Sequence, residues 1–236
     1  MRGVRLFVVV AALGLALCLL PGGASAARLS SGVHLDDVVP RHQWQPTYTK
    51  PAGVTSYASL KELQWVVIHH SDFVDPIGAQ GILDYHLEVS RFSDIGYHFV
   101  VADDGRVYEG RDLRLLGAHA GQSKDANRAV RHARRHGGDV DKARRKDPDW
   151  GAIGVVVDGY FVDDAPPAVQ QKALTKLVAQ LRRRFGIPAD HVVTHREVKQ
   201  KLVEDRGHTF TGPLKECPGD ALQLQVEKTW RSPPKP

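Results

Sequence analysis

Four apolar β-type runs, two amphipathic helical patterns and one hairpin signal predict an α/β fold: a mixed central β-sheet flanked by helices, in a single domain behind an N-terminal arm. The hairpin places two strands side by side, while the helices separate strands that are distant in sequence. No internal repeat is present.

The elements follow in order. Residues 27–60 carry Pro40, Pro46 and Pro51 and read as a polar, irregular arm, with Trp44 as its anchor on the main body. The main domain spans residues 61–230. Residues 64–70 form an apolar run ending in His69 and His70, the pattern of a buried strand. Across 78–92, Ile82, Tyr85, Val89 and Phe92 recur at three- and four-residue spacing and predict a helix. Residues 97–102 predict a second strand, Asp103-Asp104-Gly105 a turn, and Val107-Tyr108-Glu109 the returning strand. Residues 153–157 are another β run. Residues 167–185 predict an amphipathic helix with Val169, Leu174, Leu177, Val178 and Leu181 on its apolar side, stopped by Gly186 and Pro188. Residues 191–195 are a last short strand, and 220–230 a closing helix with Leu222, Leu224, Val226 and Trp230. Residues 231–236 read as a flexible tail.

The 236 residues suit one sizeable domain plus extras, and 42% hydrophobic with 25% charged residues is ordinary globular composition. Residues 1–26 read as a signal peptide. Arg2 and Arg5 precede an uncharged run over 6–20, Pro21 breaks it, and Ala24-Ser25-Ala26 is a small-x-small cleavage site. The run is shorter than the roughly 20 residues of a bilayer span, which argues against an uncleaved anchor. Leu17, directly before Cys18, argues against a lipid-modified cysteine. The expectation is a secreted or periplasmic protein of the cell envelope, monomeric, with no stable membrane insertion after cleavage. Losing Arg2 and Arg5 takes the formal charge from +5 to +3. So mild a charge points to no nucleic-acid partner and is equally suited to an anionic polymer.

Residues 124–147 stand apart, with nine Lys or Arg against four Asp and little apolar content. They read as a solvated helical excursion or mobile loop. The functional alternative is an electrostatic contact with an acidic polymer or anionic headgroups.

Cysteine usage narrows the chemistry. Of two cysteines, Cys18 leaves with the signal peptide and Cys217 remains, so no internal disulfide can form. A lone thiol outside the cell is buried, paired between chains, or bound to metal. His69 or His70, His195 and Cys217 sit at the ends of expected elements. Two imidazoles and a thiolate suit a zinc site with three protein ligands and a fourth position for water. The spacing is long-range, and alternation along the strand does not say which of His69 and His70 faces a metal.

Seven segments occur in a telling order: Val67-Ile68-His69-His70-Ser71, Ile95-Gly96-Tyr97-His98-Phe99, Asp104-Gly105-Arg106-Val107-Tyr108-Glu109-Gly110-Arg111, Gly117-Ala118-His119-Ala120-Gly121, Ile153-Gly154-Val155, Thr194-His195-Arg196-Glu197 and Cys217-Pro218-Gly219-Asp220. Over residues 61–230 the chain thereby resembles the type-2 N-acetylmuramoyl-L-alanine amidase family, which includes the peptidoglycan recognition proteins and phage lysozyme-like amidases. Val39-Pro40-Arg41-His42-Gln43-Trp44 is similar to the arm that precedes the recognition-protein domain.

The resemblance implies a Zn2+ cofactor held by His69, His195 and Cys217. It implies catalytic roles for Tyr97, as a hydrogen-bond donor at the zinc water or tetrahedral intermediate, and for Lys215, as an oxyanion stabiliser. His119 is expected to line the substrate groove and His98 to be structural. The implied reaction is zinc-dependent hydrolysis of the amide between N-acetylmuramic acid and L-alanine, with peptidoglycan or muropeptides as partners. Ser71 or another imidazole is a candidate to assist proton transfer. The alternatives are a non-catalytic peptidoglycan-binding module, which would typically have lost a metal ligand, and a zinc peptidase acting within the stem peptide. Two features depart from the family. Residues 124–147 replace a short Asn- and Ser-containing loop, and the 22 positions from His195 to Cys217 make a longer return than in the recognition proteins.

Overall fold

The computed structural model describes residues 26–121, 124–207 and 216–231. The expected signal peptide (but for Ala26), Lys215 and, apart from Arg231, the tail lie outside the described residues. The strands are β1 (Ala26–Arg28), β2 (His34–Asp36), β3 (Val38–Val39), β4 (Trp65–His70), β5 (Phe99–Val101), β6 (Val107–Glu109), β7 (Ala152–Val157) and β8 (Val192–Thr194). The helices are α1 (Arg41–Trp44), α2 (Gly78–Glu88), α3 (Lys124–His136), α4 (Val140–Arg144), α5 (Ala168–Phe185) and α6 (Asp220–Val226). No helix among the described residues is long and apolar enough to cross a membrane.

Six strands make one sheet in the order β3-β6-β5-β7-β4-β8. β5 and β6 are antiparallel, as their short turn requires, and every other pair is parallel. The mixed sheet is the one the sequence predicts. Val66, Val67 and Ile68 on β4, and Ile153, Val155, Val156 and Val157 on β7, have no exposed surface. Burial on both faces explains why these strands read as continuous apolar runs.

Each face is covered differently. Leu174, Leu177, Val178 and Leu181 of α5, with Leu222 and Val226 of α6, pack on Val66, Ile68, Val155 and Val157. Each such buried side chain contributes roughly 1.5–3 kcal/mol. Ala79, Ile82 and Leu83 of α2 pack on Val100 and Val156 of the other face. Val67 faces Val193, Val198 and Leu202 there too. The alternation therefore carries the next odd residue of β4, His69, onto the α2 face at the strand's C-terminal end.

Three expectations are corrected. The arm is not irregular: β1 and β2 pair, β3 joins the sheet edge, and Leu29, Val33, Leu35 and Val38 enter the core. Residues 97 and 98 precede β5 rather than belonging to it. The buried side of α2 is Ala79, Ile82, Leu83 and His86, whereas Tyr85, Val89 and Phe92 are exposed. The segment 124–147 folds as two helices, α3 and α4, packed on each other.

Candidate metal centre

His69 is the penultimate residue of β4, His195 follows directly after β8, and Cys217 lies in the turn before α6. β4 and β8 are parallel neighbours, so both histidines emerge at the same end of the sheet. Their rings lie 4.5 Å apart between centroids. Arg196 brings the cysteine to them. Its amide donates to the Cys217 carbonyl at 2.9 Å, and its guanidinium donates to the Glu216 carbonyl and Asp220 at 2.7 Å. Glu197 fixes the turn itself by accepting from the Thr194 amide and hydroxyl and from Arg231.

The candidate ligand atoms of His69, His195 and Cys217 all lie within 4.8 Å of one another. Cys217 Sγ is 3.9 Å from His69 Nδ1. Tetrahedral zinc with its usual Zn–N and Zn–S bonds sets ligand atoms about 3.3–3.6 Å apart, so the residues fit the ion with only a small contraction. Burial, then the neighbouring imidazoles of His195, His119 and His70, hold His69 well below the usual histidine pKa. A neutral imidazole is what a metal needs. His70 stands outside this group: its Nδ1 accepts from the Phe161 amide at 3.1 Å and its Nε2 lies 3.7 Å from Asp72.

His119 sits behind His69 rather than on an open groove wall. Its side chain is fully buried, and its Nδ1 lies 3.1 Å from His69 Nε2. Were Nδ1 of His69 to hold a metal, Nε2 would carry the proton and donate to His119 Nδ1. Asp149 holds the loop of His119 through the backbone, accepting from the His119 and Ala120 amides at 2.9 and 2.8 Å, while its Oδ1 lies 3.4 Å from His119 Nε2 without a hydrogen bond. Burial raises the Asp149 carboxyl, opposed by those two amides and by Arg111. The slot exists because Gly154 and Gly117 lack side chains. A Cβ at either would meet the His119 ring at 2.3 and 2.5 Å.

Tyr97 is half-buried beside this cluster, its ring centroid 5.1 Å from that of His69. Burial, then the Cys217, Asp72 and Asp149 charges, push its phenol well above the usual range, so it stays a hydrogen-bond donor. Arg111 sets its backbone by donating to the carbonyls of Ile95, Leu116 and Asp94. His98 is structural as expected: Nδ1 accepts from the Gly154 amide and Nε2 meets the Leu115 carbonyl. Ser71 donates to Asp158 at 2.8 Å and accepts from the Gly159 amide, so its hydroxyl is engaged in shaping the loop.

Tyr97, His195 and Cys217, with His70, Ser71, Asp72 and Tyr160, line a cleft of about 330 Å³. A wider depression of about 730 Å³ shares Val162 and Glu216 with it and runs on past Arg196 and Lys201. Asp149 and Arg196 were not singled out in the sequence. Arg196 lies inside the Thr-His-Arg-Glu motif, which was its signal, whereas Asp149 follows a charged stretch that hides it.

A family model described as N-acetylmuramoyl-L-alanine amidase matches residues 59–220. Peptidoglycan recognition protein 1 of Bos indicus is 32% identical over 127 residues, which cover 52% of this chain and 53% of that protein. The chain thus spans about half the length of this bovine relative. The structure of Drosophila PGRP-LB superposes with a TM-score of 0.56 at 23% identity, covering 82% of this chain and 94% of that one. A PGRP-LB mutant in complex with tracheal cytotoxin matches equally well, at 22% identity, TM-score 0.56 and the same coverage. The endolysin N-acetylmuramoyl-L-alanine amidase LysCS of Clostridium intestinale matches with a TM-score of 0.51 at 21% identity, covering 87% and 97%.

Proposed function

The chain belongs to the N-acetylmuramoyl-L-alanine amidase family, and from that premise we propose that it is an active, zinc-dependent amidase that cleaves the lactyl–L-alanine amide of peptidoglycan. The observation that carries this reading is the convergence of His69, His195 and Cys217 within 4.8 Å beside Tyr97. A module that only binds has no need to keep a cysteine and two imidazoles converging at one point beside a cleft. The complex of a PGRP-LB mutant with tracheal cytotoxin supports a muropeptide as the occupant of the corresponding cleft here. Peptidoglycan lies outside the cytoplasmic membrane, so the enzyme acts in the cell envelope, and it acts as a monomer.

A zinc ion bound by the three ligands supplies a Lewis acid for the carbonyl and a water acidic enough to attack near neutral pH. The chain's own groups do the rest. Tyr97, kept protonated by burial, donates to the oxygen on which negative charge develops. Lys215, two positions before Cys217 in the sequence and outside the described residues, is assigned to the same charge on the family resemblance alone. His119, on a loop that Asp149 holds through two backbone amides, sets the His69 ring and its tautomer. The cleft past Tyr160 and Val162 takes the stem peptide.

The test is metal analysis of the purified chain together with mass spectrometry of digested muropeptides. About one zinc per chain with release of L-alanine-headed peptides is expected. Zinc without cleavage would leave a binding module. New fragments from within the stem would make it a peptidase.

A further inference from the structure

The α3–α4 hairpin is left over by the amidase chemistry, and its charge is arranged. α3 has five Lys or Arg against one Asp, a net +4. At 100° per residue, Arg128, Arg131, His132 and Arg135 fall in one arc of roughly 100°. Ala126, Ala129, Val130 and Ala133 fall in a second such arc nearly opposite. Burial follows this division: Ala126 and Ala133 are buried, Ala129 and Val130 are half-buried, and all four residues of the basic arc are exposed, with Arg134 and His136 exposed on its flanks. Arg131, Arg134 and Arg135 have no acidic partner among the described residues. The acids of α4 are engaged by their own helix: Asp139 caps it through the Lys142 amide, and Asp141 pairs with Arg144. Asp149, at the root, is turned inward onto the His119 loop.

From this geometry we propose that the exposed face of α3 binds a linear phosphodiester polymer attached to the cell wall. The inference rests on the amidase reading for the location of the polymer, and on this chain's residues for its chemistry. Every strong base on the exposed arc is arginine, whose planar fork of donors matches phosphate oxygens better than an ammonium does. The arginines from Arg128 to Arg135 run along about 10 Å of helix axis, enough to meet successive charges of an extended chain. A membrane surface fits less well. Helices that lie in the lipid interface bury large apolar residues, and the apolar side of α3, which packs on α4, consists of alanines and one valine. The hairpin is rooted beside the metal centre, since Asp149 ties its exit to His119 and Ala120. Polymer held on α3 therefore keeps the wall substrate near the cleft.

The test uses the full chain and the variant carrying Arg131→Gln, Arg134→Gln and Arg135→Gln. Glutamine keeps helix propensity close to that of arginine. Binding is titrated with free poly(glycerol phosphate) between 50 and 200 mM salt, and with phosphatidylglycerol vesicles. Hydrolysis of a soluble muropeptide is followed in parallel. The wild type is expected to bind the polymer at least about tenfold more tightly than the variant. Three lost phosphate contacts should also make the log–log salt slope shallower by about 2. Soluble-muropeptide hydrolysis should be the same for both. Equal affinity and slope for the two proteins, or wild-type preference for vesicles over polymer, would overturn the proposal. Polymer binding without muropeptide hydrolysis would refute the amidase reading alone, and hydrolysis without polymer binding would refute only this inference.

Discussion

Replacing His119 with alanine should weaken zinc binding while leaving all three ligands in place. His69 is fully buried. Once its Nδ1 is turned to the metal, the proton on Nε2 has one acceptor nearby, His119 Nδ1 at 3.1 Å. Alanine leaves that buried donor unsatisfied, at about 1–3 kcal/mol. With 1.36 kcal/mol per tenfold, this is a loss of about fivefold to 150-fold in affinity. The 10–100-fold typical of outer-shell partners of metal ligands falls inside that range. Asparagine at 119 can offer its carbonyl oxygen near the position of Nδ1, so it should recover much of the loss. The assay is competition with a chromophoric chelator on metal-free wild type, His119→Ala and His119→Asn. Thermal melts of the metal-free proteins read the packing loss separately. An alanine variant within twofold of wild type would refute the positioning role. Equal weakening by alanine and asparagine would show that the hydrogen bond is not its cause.

Other outcomes follow from the same geometry. Cys217→Ala should abolish both zinc retention and hydrolysis, read by metal analysis and muropeptide mass spectrometry; an active variant would break the ligand assignment. Tyr97→Phe should keep one zinc yet lower kcat by about 10²–10³-fold, the loss typical of one oxyanion donor. Asp94→Ala strands the Arg41 guanidinium, which is buried with Asp94 2.9 Å away, and should cost about 3–5 kcal/mol in urea unfolding. Asp147 is raised to about 7 by burial and by Asp149. The folded chain then holds a proton that the unfolded chain releases near pH 4, so this group lowers stability as pH rises from about 4 to about 7. Asp147→Asn, which keeps the acceptor for the Asp149 amide, should therefore exceed wild type in stability at pH 8 and lose that advantage toward pH 4.

What the sequence reveals depends on how local its cause is. β4 and β7 are legible because burial on both faces demands a continuous apolar or small run, four residues before the two histidines of β4 and six in β7, a pattern written in adjacent positions. β3 is two residues long and finds its partner at Val107 and Tyr108, so no periodicity could announce it. The spacing of Ile82, Tyr85, Val89 and Phe92 suggests a helix to residue 92, yet α2 ends at Glu88 and only Ile82 of the four is buried, because periodicity fixes neither where a helix stops nor which way its face turns. The same limit governs the metal centre. Residue types and element ends point to His195 and Cys217 as candidates, but that His69 rather than His70 converges with them appears only in the fold, where His70 Nδ1 is turned to the Phe161 amide, 91 positions away. His119 was expected at the groove by its motif. What draws it inward is a slot opened by Gly154 and Gly117, on segments that meet only in the folded chain. A glycine read in isolation suggests a turn; here two of them make room for the imidazole that holds a ligand's proton. The chemistry of the ligands is thus local and readable, whereas the support that orients them is tertiary, and the His119 series tests that second layer independently of the first.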